Sequence, residues 1–275
     1  MKRIIKSVLR NILRRFVVLD SDEFRLTAVD LVRKTEALRS PWSPLNMYLG
    51  WRHDQIERLG LRFYDGHPLV GDIFESFYGK IDRIALATSF LQGSLCVPGD
   101  VAEFGVHRGH TAASINRVLA QDAPEKKMYL FDSYEGMPEI SHHLDSAWEP
   151  GDLASPVEKV QELFADSDRV KIVKGFFSET LSQYPDLRFS FCHVDADLYS
   201  SIDECINYIM PRLSPGGVIV FDDYGFDVTP GAKAVIQEYF GQEIPTFIPL
   251  PTGQAVYFAR PEDGVLAKFQ GSNGK

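Results

Sequence analysis

The chain has 275 residues, 44% of them hydrophobic and 24% charged, with a net charge of −9. That length buries one large core, or a core with an appendage, and the composition is that of an ordinary globular protein rather than a disordered or fibrous one. The basic residues are uneven: residues 1–17 hold six Lys or Arg and no acid, which leaves 23 basic against 38 acidic side chains in the remainder and argues against a nucleic-acid surface.

At the N-terminus, Ile5, Val8, Leu9, Ile12, Leu13 and Phe16 fall on one helical face, with Arg3, Lys6, Arg10 and Arg14 opposite. The basic residues interrupt any apolar h-region, so the segment does not read as a signal peptide. The pattern predicts a helix packed on its own domain or on a second subunit; peripheral membrane contact through residues 1–17 is the alternative for a basic amphipathic face. No stretch is long and apolar enough to span a bilayer. Residues 20–38 and 71–92 read as helical and flank an aromatic-rich passage holding Trp42, Tyr48, Trp51, Phe63 and Tyr64. Residues 1–95 are therefore expected to form a helical N-terminal extension that covers part of a crevice or makes homo-oligomer contacts. The three cysteines, Cys96, Cys192 and Cys205, are odd in number and lack C-x-x-C spacing, which fits a reduced cytoplasmic setting.

From about residue 98 the pattern alternates strand and helix, as in a parallel α/β sheet. Strands are predicted near 101–106, 128–133, 170–175, 189–195, 217–222 and 254–260, with helices at 110–121, 155–165, 178–183, 199–211 and 230–240. Pro215-Gly216-Gly217 reads as a turn launching the fifth strand. The segment 246–250 and the last strand, joined by Pro251-Thr252-Gly253, predict a closing antiparallel hairpin at a sheet edge, where Pro249 is tolerable. The domain should run over 96–262, with a flexible tail at 263–275. Residues 135–156 are long for a loop and read as a lid, with His142, His143, Trp148 and Asp152 as candidates to touch substrate.

Two strands end in clustered carboxylates. Phe191-Cys192-His193-Val194-Asp195-Ala196-Asp197 is one, and Val218-Ile219-Val220-Phe221-Asp222-Asp223-Tyr224 the other. Open α/β sheets bind ligands at the carboxyl ends of their strands, so these acids should surround one crevice, where their mutual repulsion calls for a divalent cation. Because successive strand residues point to opposite faces, Asp222 and Asp223 meet one ion only if the chain leaves the extended conformation after Phe221. With no His or Cys cluster, hard oxygen ligands point to Mg²⁺, with Mn²⁺ or Ca²⁺ as alternatives. His193, inside an apolar strand, reads as a packed core residue.

Val101-Ala102-Glu103-Phe104-Gly105-Val106-His107-Arg108-Gly109-His110-Thr111 reads as strand, glycine turn and helix start, and Asp132 ends the next strand, where an acid suits ribose hydroxyls. Gly105, Arg108, Gly109 and Thr111 of the turn, with Glu103, Asp132, Ser133 and Phe176 around them, make up the expected cofactor set. The surrounding acids would repel a dinucleotide pyrophosphate but suit the cationic sulfonium and ammonium groups of S-adenosylmethionine (SAM).

These residues also carry a resemblance. Glu103 to Gly109, Asp132-Ser133-Tyr134-Glu135-Gly136-Met137-Pro138, Pro150-Gly151-Asp152-Leu153, Gly175 to Leu181, Asp195-Ala196-Asp197-Leu198-Tyr199 and Asp222-Asp223-Tyr224-Gly225 together resemble the macrocin O-methyltransferase family, in order and spacing, from Pro98 to Arg260. Two departures stand out: Ala196 where the family usually has glycine, and His107 where it often has a larger aromatic. The resemblance implies a Rossmann-like class I methyltransferase sheet, mostly parallel with the antiparallel edge hairpin, and a Mg²⁺-dependent transfer of a methyl group from SAM to a hydroxyl of a small-molecule glycoside or polyol. It implies that Asp195, Asp222 and Asp223 hold Mg²⁺, that Asp197 is the general base, and that Asp132 and the Glu103–Gly109 turn bind SAM. An aspartate with a pKa of about 3.9 cannot strip a sugar hydroxyl unaided, which is why the cation matters. The rival readings are a nicotinamide-dependent oxidoreductase on the same type of sheet, and a non-catalytic, membrane-associated SAM-binding protein.

Overall fold

The computed structural model describes residues 76–241 and 246–260, with side chains from Asp82 onward. The expectations for residues 1–75, the amphipathic helix 1–17 among them, and for the tail 263–275 concern residues outside that range. Helix α1 (Ser76–Ser94) precedes strand β1 (Asp100–Phe104), and α2 (His110–Asp122) leads to β2 (Met128–Asp132). After a long loop come α3 (Val157–Leu163), β3 (Val170–Lys174), the short α4 (Phe177–Thr180) and β4 (Phe189–Val194). Helix α5 (Tyr199–Ile209), β5 (Leu213–Phe221), α6 (Pro230–Phe240), β6 (Phe247–Pro249) and β7 (Ala255–Phe258) complete the order. These elements lie within a few residues of the predicted ones, because each strand is a short apolar run bounded by glycine, proline or acid.

The seven strands form one sheet in the order β3-β2-β1-β4-β5-β7-β6. Strands β1 to β5 are parallel, while β7 runs antiparallel to both β5 and β6. Pro249 sits on β6, whose free edge needs no ladder donor, as expected. The expected turn at Pro215-Gly216-Gly217 is instead part of β5. Phe189 pairs with Leu213 and Phe191 with Val218, so residues 214–217 bulge out of register within the strand, with Gly216 at φ +86°.

Alternate strand residues feed two cores. Phe104, Phe131, Cys192, Val194, Ile219 and Phe221 pack under α5 and α6. Val101, Leu130, Phe191, Val218 and Val220 pack under α1, α2 and α3, with Ala87 and Leu91 of α1 among them. Helix α1 is therefore a layer of the sheet domain. The strand order reverses between β1 and β4, and at such a switch point the diverging connections leave a crevice above the strand ends.

Candidate active site

The crevice is floored by the turn after β1. Gly105 has φ +83°, and a Cβ built there would lie 2.7 Å from the carbonyl carbon of Asp195, so only glycine lets the β1 turn touch the end of β4. Asp132 Oδ2 accepts the backbone N–H groups of Val106 (2.6 Å) and His107 (2.7 Å), and its Oδ1 accepts that of Tyr134 (2.6 Å). One carboxylate thus ties the β1 turn to the β2 turn. A carboxylate has about four acceptor positions, so three are spent on the backbone and one is left for a ribose hydroxyl. The sequence reading places Asp132 at ribose hydroxyls, with a cap on the following turn as the alternative, and the structure shows the turn contact directly.

The acids of β4 and β5 do converge, but in a different set from the one expected. Carboxylate oxygens of Asp195, Asp197 and Asp223 all lie within 4.8 Å of one another. Asp197 holds φ +54°, a conformation that Asp tolerates better than most residues, and its N–H donates to Asp223 Oδ2 at 3.1 Å. Ala196 is not among the positive-φ residues, so the turn does not need glycine there. Burial pushes the Asp223 carboxyl well above the usual carboxylate range, and the charges of Asp197, Asp195 and Asp222 push it further. Three hard oxygen donors, one of them buried and repelled by the others, fit a Mg²⁺-class cation.

Asp222 is not in that cluster. It shares strand-face parity with Val218 and Val220 and turns toward α1, where Oδ2 pairs with Arg83 (2.5 Å) and Oδ1 accepts from Gln254 Nε2 (2.7 Å). His193 Nε2 lies 3.5 Å from the same Oδ1, and its Nδ1 lies 3.0 Å from Glu103 Oε1. Glu103, expected at the cofactor, is 1% exposed and lies beneath the cavity floor rather than along it. Burial raises its carboxyl to about 7 against the opposing pull of His193. Burial alone would lower His193, but two carboxylates outweigh it and raise the imidazole to about 10. His193 is thus buried, as read from sequence, yet it bridges two acids instead of packing as a neutral ring. Arg83 and His193 face Asp222 and Glu103, and this pairing of opposite groups is what makes their joint burial tolerable. The Arg83 guanidinium also lies 5.0 Å above the Phe226 ring.

The cavity above this floor measures about 990 Å³. Of the residues expected there, Gly105, Arg108, Asp132, Ser133, Phe176, Asp195, Asp197 and Asp223 line it. Gly109 and Thr111 instead start α2, Gly109 at φ +79° as its N-cap. From the loop, Trp148 and Asp152 line the cavity, whereas the His142 ring stacks on Tyr199 at 4.0 Å and His143 stays off the wall. Sequence reasoning missed Arg83, Phe226 and Thr229 on the wall. None lies at a strand end, so the strand-end rule has no purchase on them.

The sequence model of the family described as Macrocin-O-methyltransferase (TylF) matches residues 87–259. The chain belongs to the macrocin O-methyltransferase family. Among its relatives, the 8-demethyl-8-(2,3-dimethoxy-alpha-L-rhamnosyl)-tetracenomycin-C 4'-O-methyltransferase of Streptomyces olivaceus is 36% identical over 158 residues, 53% of this chain and 59% of that protein. The mycinamicin III 3''-O-methyltransferase of Micromonospora griseorubida is 31% identical over 157 residues, 52% of this chain and 61% of that one. The match to each thus spans about six-tenths of the relative's length. Solved structures share the fold, two of them over most of their length. The O-methyltransferase NovP has a TM-score of 0.59 at 24% identity, covering 70% of this chain and 84% of its own. The calicheamicin methyltransferase CalS11 has a TM-score of 0.60 at 20% identity, covering 75% and 90%. Arg83 falls just ahead of the family match, so its pairing with Asp222 is visible only in the structure.

Proposed function

We propose that this chain transfers a methyl group from SAM to a hydroxyl of a sugar or glycoside, with the help of a divalent cation. The observation that carries the reading is the meeting of Asp195, Asp197 and Asp223 in a cavity that the Gly105 turn also lines. Both relatives are named as O-methyltransferases, and the one from Streptomyces olivaceus is named for a rhamnosyl-bearing compound, which supports a glycoside or polyol as the acceptor. A cavity of about 990 Å³ has room for a cofactor and an acceptor together.

In this reading the Gly105 turn and the last acceptor position of Asp132 hold the nucleoside, with Ser133 and Phe176 beside it. Asp195 and Asp223 would hold Mg²⁺, which when bound lowers the pKa of a hydroxyl and cancels the charge around it. Asp197 takes the proton from the acceptor oxygen as that oxygen attacks the methyl carbon in line with the departing sulfur. Asp222, committed to Arg83, His193 and Gln254, fixes the end of β5 from below. The acids around the cavity speak against a dinucleotide, and so against a nicotinamide-dependent oxidoreductase. A cytoplasmic setting is supported by three free cysteines, Cys96, Cys192 and Cys205. No described helix is long and apolar enough to cross a membrane. Homo-oligomer contacts, and peripheral membrane contact as their alternative for residues 1–17, rest on the sequence pattern.

The test is calorimetric titration with SAM, then a methyl-transfer screen over glycosides with and without a chelator. Activity should vanish with chelator and fall at least about a hundredfold in Asp197→Asn, the usual share of general-base catalysis. Activity indifferent to the chelator removes the cation, and unchanged turnover in Asp197→Asn removes the base.

A further inference from the structure

The loop between β2 and α3 is pinched at its base. Met137 N–H donates to Asp152 O (2.8 Å) and Gly151 N–H to Met137 O (2.9 Å), while Gly136 packs so close to Gly151 that a Cβ would penetrate its carbonyl. Residues 138–150 therefore form a closed loop, and its Trp148 and Pro150 line the cavity. Asp145, in the short 3-10 turn His143–Asp145 near the middle of the loop, is only 2% exposed.

Its surroundings say why a carboxylate is buried there. Asp145 Oδ2 accepts the N–H of Tyr199, the first residue of α5, at 3.0 Å. The residue preceding α5 is Leu198, which cannot cap a helix, so the loop supplies from 54 residues away what the local sequence lacks. Asp145 Oδ1 has no hydrogen-bond partner and presses against Gly231 in the first turn of α6, in space that a Cβ would fill. Helix α6 likewise has no side-chain cap of its own. One carboxylate thus stands between two helix starts, where the orphan N–H groups and the helix dipoles favour negative charge. The His142 ring, stacked on Tyr199 at 4.0 Å with the planes 9° apart, adds a second contact of the same loop to the same helix start.

Both helix starts are wired to the acids. Tyr199 is two residues beyond Asp197, and Thr229 Oγ1, just ahead of α6, donates to the Asp223 carbonyl at 2.9 Å. We propose that Asp145 is a positioning residue: it fastens the 138–150 loop at the cavity by capping the start of α5 through Tyr199 N–H and packing against Gly231 in the first turn of α6. The loop keeps Trp148 and Pro150 on the cavity wall only while this contact is made, and a loop released from it leaves the cavity more open to water. The inference goes beyond the methyl-transfer reading and is tested on the free chain, so failure of SAM binding or of turnover leaves it standing or falling on its own readout.

The experiment is hydrogen exchange followed by mass spectrometry on the full-length wild type and on Asp145→Ala, Asp145→Asn and Gly231→Ala. A lost N-cap corresponds to about a fivefold to tenfold shift in an opening equilibrium, so Asp145→Ala should speed exchange across 138–150 by about that factor. Peptides covering β2 and β4 should keep wild-type rates. Asparagine caps nearly as well as aspartate, so Asp145→Asn should restore most of the protection. A general packing defect would not be rescued in this way. Gly231→Ala keeps Asp145 but drives a methyl group into its carboxylate, and should open the same peptides. Wild-type exchange in the loop of Asp145→Ala overturns the proposal. If Asp145→Ala does not fold, wild-type loop exchange in Gly231→Ala overturns it equally.

Discussion

Replacing Gly105 with alanine tests the contact on which the whole crevice depends, and its cost can be worked from the structure. At φ +83° an L-residue pays about 1–2 kcal/mol for the left-handed backbone. The new Cβ would stand 2.7 Å from the Asp195 carbonyl carbon and closer still to its oxygen, whereas ordinary contacts begin near 3.4 Å. The β1 turn and the β4 end must therefore separate by the better part of an ångström or more, and forced separations of this kind cost about 1–3 kcal/mol. The unfolding free energy should fall by about 2–5 kcal/mol, measured by urea denaturation. Two companion variants divide that sum. Gly151→Ala has φ +88° and nothing within 4 Å of the new Cβ, so it should show only the backbone part, about 1–2 kcal/mol. Gly93→Ala, in α1 with open space around it, should leave stability unchanged or raise it by up to about 1 kcal/mol. If Gly105→Ala loses no more than Gly151→Ala, the claimed contact between the β1 turn and Asp195 is wrong.

Two further outcomes concern charge. Asp223→Asn removes a buried carboxylate that burial and its acidic neighbours disfavour, so without divalent cations the variant should be more stable than wild type by roughly 0.5–2 kcal/mol. Thermal denaturation with and without Mg²⁺ checks this: wild type should gain stability from the cation and the variant should not, and a variant less stable than cation-free wild type refutes the reading. Stability should also fall as pH rises. Glu103, raised to about 7, opposes folding increasingly between about pH 4.5 and 7 as it is forced to ionise in place. His193, raised to about 10, contributes stability that is complete below about pH 6.5 and is lost as pH climbs toward 10. Both groups make the native chain hold the extra proton, so the metal-free protein should melt lower at pH 9 than at pH 6. His193→Gln should narrow that gap; an equal or higher melting temperature at pH 9 contradicts the buried pairing.

The strands, the glycine turn and the acids at two neighbouring strand ends were legible in the sequence. A run such as Val218-Ile219-Val220-Phe221 ending in Asp222-Asp223 states its own secondary structure and its own terminus within a few residues. Even the conflict between Asp222 and Asp223 was written in the two-residue period of the strand, although not which of the two would face the cavity. The bulge at 214–217 was hidden because Pro215-Gly216-Gly217 reads equally well as a turn, and only the pairing of Leu213 with Phe189 makes it part of β5.

Hydrophobic periodicity and turn chemistry act over a few residues, so the sequence by itself determined the alternating α/β order, the closing hairpin and the place of the acids at strand ends. Which acids share a cation site and which are spent on structure depends on partners supplied from elsewhere in the chain. Arg83, His193 and Gln254 claim Asp222, and the backbone of two separate turns claims Asp132. The Asp145 carboxylate caps a helix 54 residues away. Those assignments follow from which faces the sheet brings together, and only the folded chain decides that.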